Sequence, residues 1–295
     1  MFRALLASLF AFGLLAGSSV LAAEDTYLLK VYQEKKGDKF DVEKNDKGAN
    51  KIIVNVNGTN NNQETLTGDK EIYTEEILEK KEGDKRATKL TRKYTIAEKT
   101  EKGKTVKAIY SGETVLIEKK GKEFEFSIDG KMLTKDEAPD LFKKFNKSDD
   151  EPTDQDMLPT EAVKVGGTWK VPAEKSEKMF KTLGKDEMKI DVKKSSIEGK
   201  LLKVYKKDGA QFGVLELTIS VLILEIDLGG QFAPTKAGSK IVITGMIDTC
   251  IDGTVNQEEA KKVVTIAMTA ELPNGGSITI DGESKGVDQK RATKK

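Results

Sequence analysis

The amino-acid sequence predicts an all-β protein with two short helices, in which two curved antiparallel sheets or half-barrels are joined by a central helical linker. Short segments that alternate apolar and polar residues recur along the chain, and Ile52, Val54 and Val56 form one of them. Charged turns that contain glycine separate these segments, for example at residues 80–85. Regular short strands with such turns are typical of antiparallel meanders. The pattern stops between residues 134 and 184, which predicts two β halves with a joint between them.

The predicted organisation has four parts, of which the first is a secretory leader. Arg3 is followed by an apolar run at residues 5–15 and by small residues up to Ala22, which is the pattern of a signal peptide. The run is shorter than the roughly 20 apolar residues of a transmembrane helix. We therefore expect an exported protein, periplasmic or extracellular, with no stable membrane span after cleavage. The four parts are a signal peptide at 1–22, an N-terminal antiparallel β half at 24–133, a linker with two short helices at 134–184 and a C-terminal antiparallel β half at 185–295.

The composition excludes several classes of site. The chain has no histidine, which excludes Ser-His and Cys-His nucleophile pairs, histidine-ligated metals and the usual general base near neutral pH. Its single cysteine, Cys250, cannot form an intrachain disulfide and is predicted to be a half-buried strand residue. Lys and Arg number 50 against 49 Asp and Glu, and they balance once Arg3 leaves with the leader. This neutrality argues against nucleic acid as a partner, and we expect no cofactor because no phosphate loop or cysteine cluster is present.

Eight strands are predicted in the N-terminal half. Charged glycine turns, including one at residues 45–48, and an Asn-rich loop at 57–63 connect them. The stretch 72–80 is rich in Glu, which also suits a helix, but its neighbours favour a strand. The predicted strands are 26–32, 40–42, 52–56, 72–80, 90–97, 106–110, 115–117 and 124–128.

A short helix is predicted at residues 138–145. Pro139 suits its first position and Asp140 suits the positive end of its dipole. Three apolar side chains fall on one face and should cover the sheet or its open end. They are Leu141, Phe142 and Phe145.

An acidic run at residues 148–156 follows this helix. Closely spaced carboxylates suit calcium, but the run lacks the Gly at the sixth position and the Glu at the twelfth that an EF-hand loop requires. A solvated linker is therefore the favoured interpretation, with a calcium site as the weak alternative. The weak candidate metal ligands are Asp149, Asp150, Asp154 and Asp156.

The joint between the halves is the stretch 158–172, LPTEAVKVGGTWKVP, which holds the only tryptophan. We predict that Trp169 is a core anchor between the halves, with a ligand-stacking platform as the alternative. A second helix is predicted at residues 172–183, where Pro172 fits the first turn and Gly184 the C-terminal cap.

The joint resembles a group of uncharacterised exported bacterial β-rich proteins that carry the pattern L-P-x-x-x-V-x-V-G-x-x-W. The matching residues are Leu158, Pro159, Val163, Val165, Gly166 and Trp169. The pattern is complete but covers only residues 158–169. The resemblance implies a bacterial envelope or secreted protein and implies no catalytic residues.

The C-terminal half returns to strands, and residues 213–228 are the most apolar segment after the leader. Up to about Leu222 the apolar residues occupy every second position and face one side of the strand. Beyond Leu222 they occupy the other set of alternate positions, which would face the opposite side. A straight strand keeps its faces, so we predict a bulge or a strong bend near Leu222. The polar tail at residues 282–295 is predicted to be loose. The other predicted strands are 188–192, 201–205, 241–251, 263–270 and 278–280.

Three functions remain open. The leading hypothesis is an exported, non-catalytic protein that binds an apolar or extended ligand, such as a lipid or peptide, in a curved sheet. The first alternative is a structural or protein-interaction module without a pocket, whose strand edges pair with another chain. The remote alternative is a carboxylate glycoside hydrolase that uses Glu225 and Asp227, which alternate along one strand about 6 to 7 Å apart. A solvated strand end is the plainer interpretation of that pair.

Overall fold

The computed structural model describes residues 25–56, 59–146, 152–182, 187–272 and 275–293. The predicted leader at 1–22 and the predicted cap Gly184 lie outside the described residues. Most of the described chain is β-strand, and its two α-helices are short. The prediction of an all-β protein with two short helices is therefore confirmed.

Within the described residues eight strands precede the first helix, and residues 72–79 of the predicted strand 72–80 lie in one of them. They are β1 Thr26–Tyr27, β2 Lys39–Val56, β3 Thr59–Glu79, β4 Lys89–Glu101, β5 Lys104–Lys107, β6 Thr114–Lys120, β7 Glu123–Ile128 and β8 Lys131–Met132. The strands predicted at 26–32 and 106–110 are thus present only in part, as β1 and as the end of β5.

The middle of the chain holds the helices and two short strands. They are α1 Pro139–Phe145, a 3-10 helix Asp154–Met157, β9 Val163–Lys164, β10 Thr168–Lys170 and α2 Ala173–Thr182. The remaining strands are β11 Met188–Ile190, β12 Ser196–Lys207, β13 Ala210–Asp227, β14 Phe232–Pro234, β15 Lys240–Cys250, β16 Gln257–Glu271 and β17 Ser277–Ala292.

One antiparallel sheet contains strands from both halves of the chain. Its order is β10-β12-β13-β15-β16-β17-β2-β3-β4-β6-β7-β8, with β11 and β14 paired to β13 and β5 paired to β4. The order ends in different strands, so the sheet is open and is not closed into a barrel. The last strand, β17, pairs with the first long strand, β2, and this pairing joins the two halves.

Three predictions along the central strands are wrong. The turn predicted at 45–48 lies inside β2, and residues 59–63 of the predicted loop lie inside β3. The tail predicted to be loose lies largely in β17, which is hydrogen-bonded to β16 on one side and to β2 on the other. These segments are polar on both faces, so they lack the apolar alternation that marks a half-buried strand. Pairing with neighbouring strands holds them in the sheet.

Each α-helix covers an apolar part of the sheet, as its sequence pattern predicts. On α1, Leu141 is fully buried, and the rings of Phe126 and Phe142 lie 4.7 Å apart. On α2, Phe180 is buried in a second cluster with Val221. Burial of such side chains contributes about 1.5 to 3 kcal/mol each, which fixes the helices on the sheet.

The predicted irregularity of the long apolar strand is confirmed, two residues beyond Leu222. Strand β11 pairs Ile190 with Ile223 and Lys189 with Glu225, so Leu224 is left without an opposite residue. At the same place β13 changes its other neighbour from β15 to β14. The bulge lets the apolar residues before and after it face the same core.

No helix in the described ranges is both long enough and apolar enough to cross a membrane.

Candidate functional site

The candidate site lies on the face of the sheet that α1 and α2 cover, which we call the inner face. Residues opposite one another in an antiparallel register share a face. Between the two apolar clusters, the inner face is charged across β16, β17, β2, β3 and β4. One row of register partners is Ala260, Asp288, Lys44, Glu71 and Ala97, and the next is Lys262, Gly286, Asp46, Asp69 and Lys99.

A cleft of about 900 Å³, which we call the central cleft, lies over these two rows. The five strands form its floor, while the β4–β5 hairpin and the start of α1 form its walls. Most of its lining residues are charged, and the two signs are nearly balanced. Its lysines are Lys44, Lys99, Lys102, Lys104, Lys107, Lys144 and Lys262, and its acidic residues are Asp46, Asp69, Glu71, Glu98, Glu101, Glu137, Asp140 and Asp288.

Ion pairs connect the floor of the central cleft to its walls. Lys144 on α1 places its Nζ 2.6 Å from Glu71 Oε2 on β3. Lys99 Nζ on β4 lies 3.0 Å from Glu101 Oε1 and 3.6 Å from Asp140 Oδ1 at the start of α1. These contacts hold α1 against the charged part of the sheet as well as against the apolar part.

Burial and pairing shift the pKa values of the half-buried pair Glu71–Lys144 in opposite directions. Burial alone would raise the pKa of Glu71, but the charge and hydrogen bond of Lys144 bring that pKa below its ordinary value. Burial also lowers the pKa of Lys144, and the charge of Glu71 opposes this shift. The ion pair therefore favours the carboxylate form of Glu71 within the cleft.

A second ion pair crosses a whole strand. Lys262 Nζ on β16 lies 3.0 Å from Asp46 Oδ2 on β2, although β17 runs between them. Gly286 of β17 is the register partner of both residues, and a Cβ there would overlap Asp46 Oδ1 and lie 2.5 Å from Lys262 Cε. Burial alone would lower the pKa of Lys262, but Asp46 and Asp288 raise it above its ordinary value.

Two carboxylate oxygens in this cluster have no hydrogen-bond partner within the described residues. They are Asp46 Oδ1 and Asp288 Oδ1, and both are shielded from solvent. A buried polar atom without a partner costs free energy. The lysines and carboxylates that line the central cleft suit it to bind by ion pairing.

A more deeply buried pair supports the cleft from beneath α1. Arg92 Nε donates to Glu75 Oε2 at 2.7 Å, and both side chains are nearly inaccessible to solvent. The Arg92 guanidinium lies 4.5 Å from the ring centre of Tyr73 and 4.7 Å from that of Phe145. These contacts position the last turn of α1 over β3 and β4.

Trp169, the candidate for ligand stacking, does not line the central cleft. Its indole Nε1 donates to the carbonyl of Met157 at 2.9 Å, and its ring lies on the bare backbone of Gly199. It is half-buried and packs with Leu201 and Leu215. The contacts of Trp169 therefore connect the 3-10 helix to β12.

Of the four weak candidate metal ligands, Asp154 and Asp156 lie within the described residues. Asp149 and Asp150 lie outside the described residues. Asp156 accepts hydrogen bonds from Thr153 and so caps the 3-10 helix. Asp154 lies near Glu258, where burial raises the pKa of Glu258 and the charge of Asp154 raises it further. Within the described ranges, no three acidic or cysteine side chains approach one another closely enough to hold a metal ion.

The two carboxylates of the hydrolase alternative make local contacts at the bulge of β13. Glu225 pairs with Lys189 of β11. Asp227 Oδ1 accepts a hydrogen bond from the backbone N–H of Gly230 at 2.7 Å, which closes the following turn. Neither residue lines the central cleft.

The residues of the central cleft were not predicted from the sequence, although the sequence contains one signal for them. Lys44 and Asp46 alternate on β2, and Asp69 and Glu71 alternate on β3. Because these strands are consecutive, a hairpin register that pairs them would have placed all four charges on one face. The predicted turn at 45–48 concealed this signal.

Comparison with known proteins adds little to this geometry. No protein-family model and no curated protein matches the chain. Among solved structures, the chain is similar to a DUF1329 family protein from Desulfovibrio piger, with 12% sequence identity over 88% of this chain and 87% of the other. The TM-score of 0.16 is too low for this likeness to support any conclusion about the fold or the site.

Proposed function

We propose that the chain is an exported, non-catalytic binding protein of the bacterial envelope that holds an extended peptide in its central cleft. The peptide carries both basic and acidic side chains. The observation that carries this proposal is the balanced charge of the cleft, where lysines and carboxylates are interspersed across five strands. A ligand with a single sign of charge would meet repulsion from about half of these groups.

The dimensions of the charged floor favour an extended ligand. From Lys262 on β16 to Lys99 on β4 there are four steps between neighbouring strands. At about 4.8 Å per step the floor is about 19 Å wide, which matches about six residues of extended peptide. Basic groups of the peptide would meet the exposed carboxylates of the cleft, such as Glu101 and Asp140.

A peptide fits better than the apolar ligand that the sequence also suggested. The apolar residues that motivated a lipid, such as Leu215, Val221 and Ile226, are buried in the protein's own core. The central cleft is lined mostly by charged residues, and an apolar chain placed there would leave these charges without partners. Export is supported by the leader pattern at residues 1–22.

Native mass spectrometry of the exported chain tests this proposal. The full chain is expressed with its own leader in a bacterial host and isolated from the periplasm or medium. We expect an intact mass that lacks the leader, together with copurified peptides of mixed charge. A double variant, Asp46→Asn with Asp288→Asn, should lose these peptides, while Glu283→Gln on the outer face of β17 should retain them. An uncleaved chain in the cytoplasm, or equal loading of all three proteins, would contradict the proposal.

A further inference from the structure

The β2–β3 hairpin extends beyond the rest of the sheet and leaves one strand edge open. Strand β3 pairs with β2 from Thr59 to Glu76, but with β4 only from Thr67 onward. Within the described ranges, no strand pairs with the other side of residues 59–65, which we call the free edge. Alternate residues of this seven-residue stretch of β3 therefore direct their backbone groups away from β2.

The direction of these backbone groups follows from one hydrogen bond. The carbonyl of Leu66 accepts a hydrogen bond from the N–H of Gly103, so the backbone N–H and C=O of Leu66 point away from β2. Along an antiparallel strand the N–H and C=O of each residue point to the same side, and the side alternates. Asn60, Asn62 and Glu64 therefore direct their donors and acceptors outward from the free edge.

The free edge lacks the features that usually prevent a strand from pairing with another chain. Edge strands are commonly shortened, or protected by lysine, proline or a bulge. The terminal strands β8 and β10 have two and three residues, and β5 has a lysine at each end. The free edge has the sequence TNNNQET, with no lysine and no proline.

We propose that a second copy of this chain pairs with the free edge, antiparallel and about a two-fold axis at Asn62. In this register Asn62 lies opposite Asn62, and Glu64 lies opposite Asn60, so that no like charges meet. The amide side chains both donate and accept, which makes the edge complementary to itself. The same kind of contact already occurs inside the hairpin, where Asn55 Nδ2 donates to Asn60 Oδ1 at 2.7 Å.

The size of the free edge sets the expected strength of the dimer. Seven residues from each chain bury less area than the roughly 800 Å² per partner of a standard stable interface. We therefore expect a reversible dimer that forms as concentration rises from micromolar to millimolar. The order of strands would then run β2-β3-β3-β2 through the two-fold axis.

Analytical ultracentrifugation of the exported chain tests the proposal. The average mass of the wild type should rise with concentration toward twice the monomer mass. Asn62→Lys should remain monomeric, because two lysines would face each other at the axis. The control is Thr265→Lys, which adds the same charge to an exposed position on the outer face of β16 and should dimerise like the wild type. A wild type that stays monomeric at all concentrations would overturn the proposal.

A cross-link supplies a second readout that does not depend on dimer strength. A hydrogen-bonded pair of opposite residues has its Cα atoms about 5.5 Å apart, which suits a disulfide. Asn62→Cys should therefore oxidise to a covalent dimer with diamide, and Thr265→Cys should not. The native Cys250 is buried and does not interfere. Cross-linking to a different protein in place of a second copy would contradict the proposal.

Discussion

Lys262 and Asp46 form an ion pair at 3.0 Å although a complete strand separates their own strands. Gly286 makes this contact geometrically feasible, because it lies between them in the register and has no side chain. The pair connects a strand of the C-terminal half to a strand of the N-terminal half. It also forms part of the floor of the central cleft.

A methyl group at position 286 should break this ion pair. We expect Gly286→Ala to lower the free energy of unfolding by about 1 kcal/mol, because the added Cβ overlaps the ends of both charged side chains and forces their ion pair apart. Urea denaturation measures the change. The matched control is Gly245→Ala on β15, the other register neighbour of Lys262, where an added Cβ meets only the carbonyl of Leu217 at 4.0 Å. Equal losses in the two variants would contradict this account.

Removal of one partner of the buried ion pair Arg92–Glu75 should lower the free energy of unfolding more than removal of both partners. Glu75→Leu leaves the charge of Arg92 buried without its carboxylate and should cost about 3 to 5 kcal/mol. The double variant with Arg92→Met should recover most of this loss, since no unpaired charge remains. Thermal and urea unfolding of the wild type, both single variants and the double variant measure the coupling. Additive losses would show that the two residues act independently.

Trp169 should behave as a structural anchor. Trp169→Ala should cost about 3 kcal/mol, the lower end of the range for large aromatic deletions, because the indole is only half-buried. Gly199→Ala should displace the indole from the backbone beneath it and shift its emission to longer wavelength. The chain has one tryptophan, so the signal needs no assignment. An unchanged melting temperature for Trp169→Ala would favour the ligand-platform alternative instead.

The 3-10 helix should lose a stabilising contact at low pH. Hydrogen bonds from the backbone N–H and the hydroxyl of Thr153, opposed by burial and reinforced by the Lys175 ammonium, lower the pKa of Asp156 from 3.8 to about 2. A lowered pKa in the folded state stabilises the protein above pH 3.8, and this contribution is lost as the pH falls toward 2. The stability difference between wild type and Asp156→Asn should therefore shrink in that interval.

Melting temperatures across the acid range measure this difference. Asp154→Asn is the control, because it removes the same charge from the same 3-10 helix but leaves the contacts of Asp156 intact. A wild-type advantage over Asp156→Asn that persists at pH 2 would contradict the assigned role of Asp156.

The sequence predicted those parts of the fold whose residues alternate between water and an apolar core. The stripe of Leu141, Phe142 and Phe145 predicted a helix on the sheet, and the exchange of apolar sides near Leu222 predicted the bulge at Leu224. The middle of β2, the start of β3 and the end of β17 escaped prediction because both of their faces are polar. Their stability comes from hydrogen bonds to strands far away in the sequence, which no local pattern records.

The central cleft could not be predicted for a related reason. Lys262 and Asp46 are separated by 216 positions, and only the register of β16, β17 and β2 brings them together. The candidates that the sequence did provide, Trp169 and the pair Glu225 and Asp227, lie where they support a joint and a bulge. The residue types along the chain identified local features such as the joint and the bulge. The cleft depends on the order of strands in the sheet, which residue types do not give.

Isothermal titration calorimetry with synthetic hexapeptides tests the binding proposal most directly. Peptides that combine Lys and Glu should bind the exported chain at low salt and weaken as salt rises, because exposed ion pairs are screened. Peptides of the same length with Gln at every position should not bind. The double variant Asp46→Asn with Asp288→Asn should lose binding, and Glu283→Gln should retain it. Equal binding of the Gln peptides, or no heat with any charged peptide, would contradict the account.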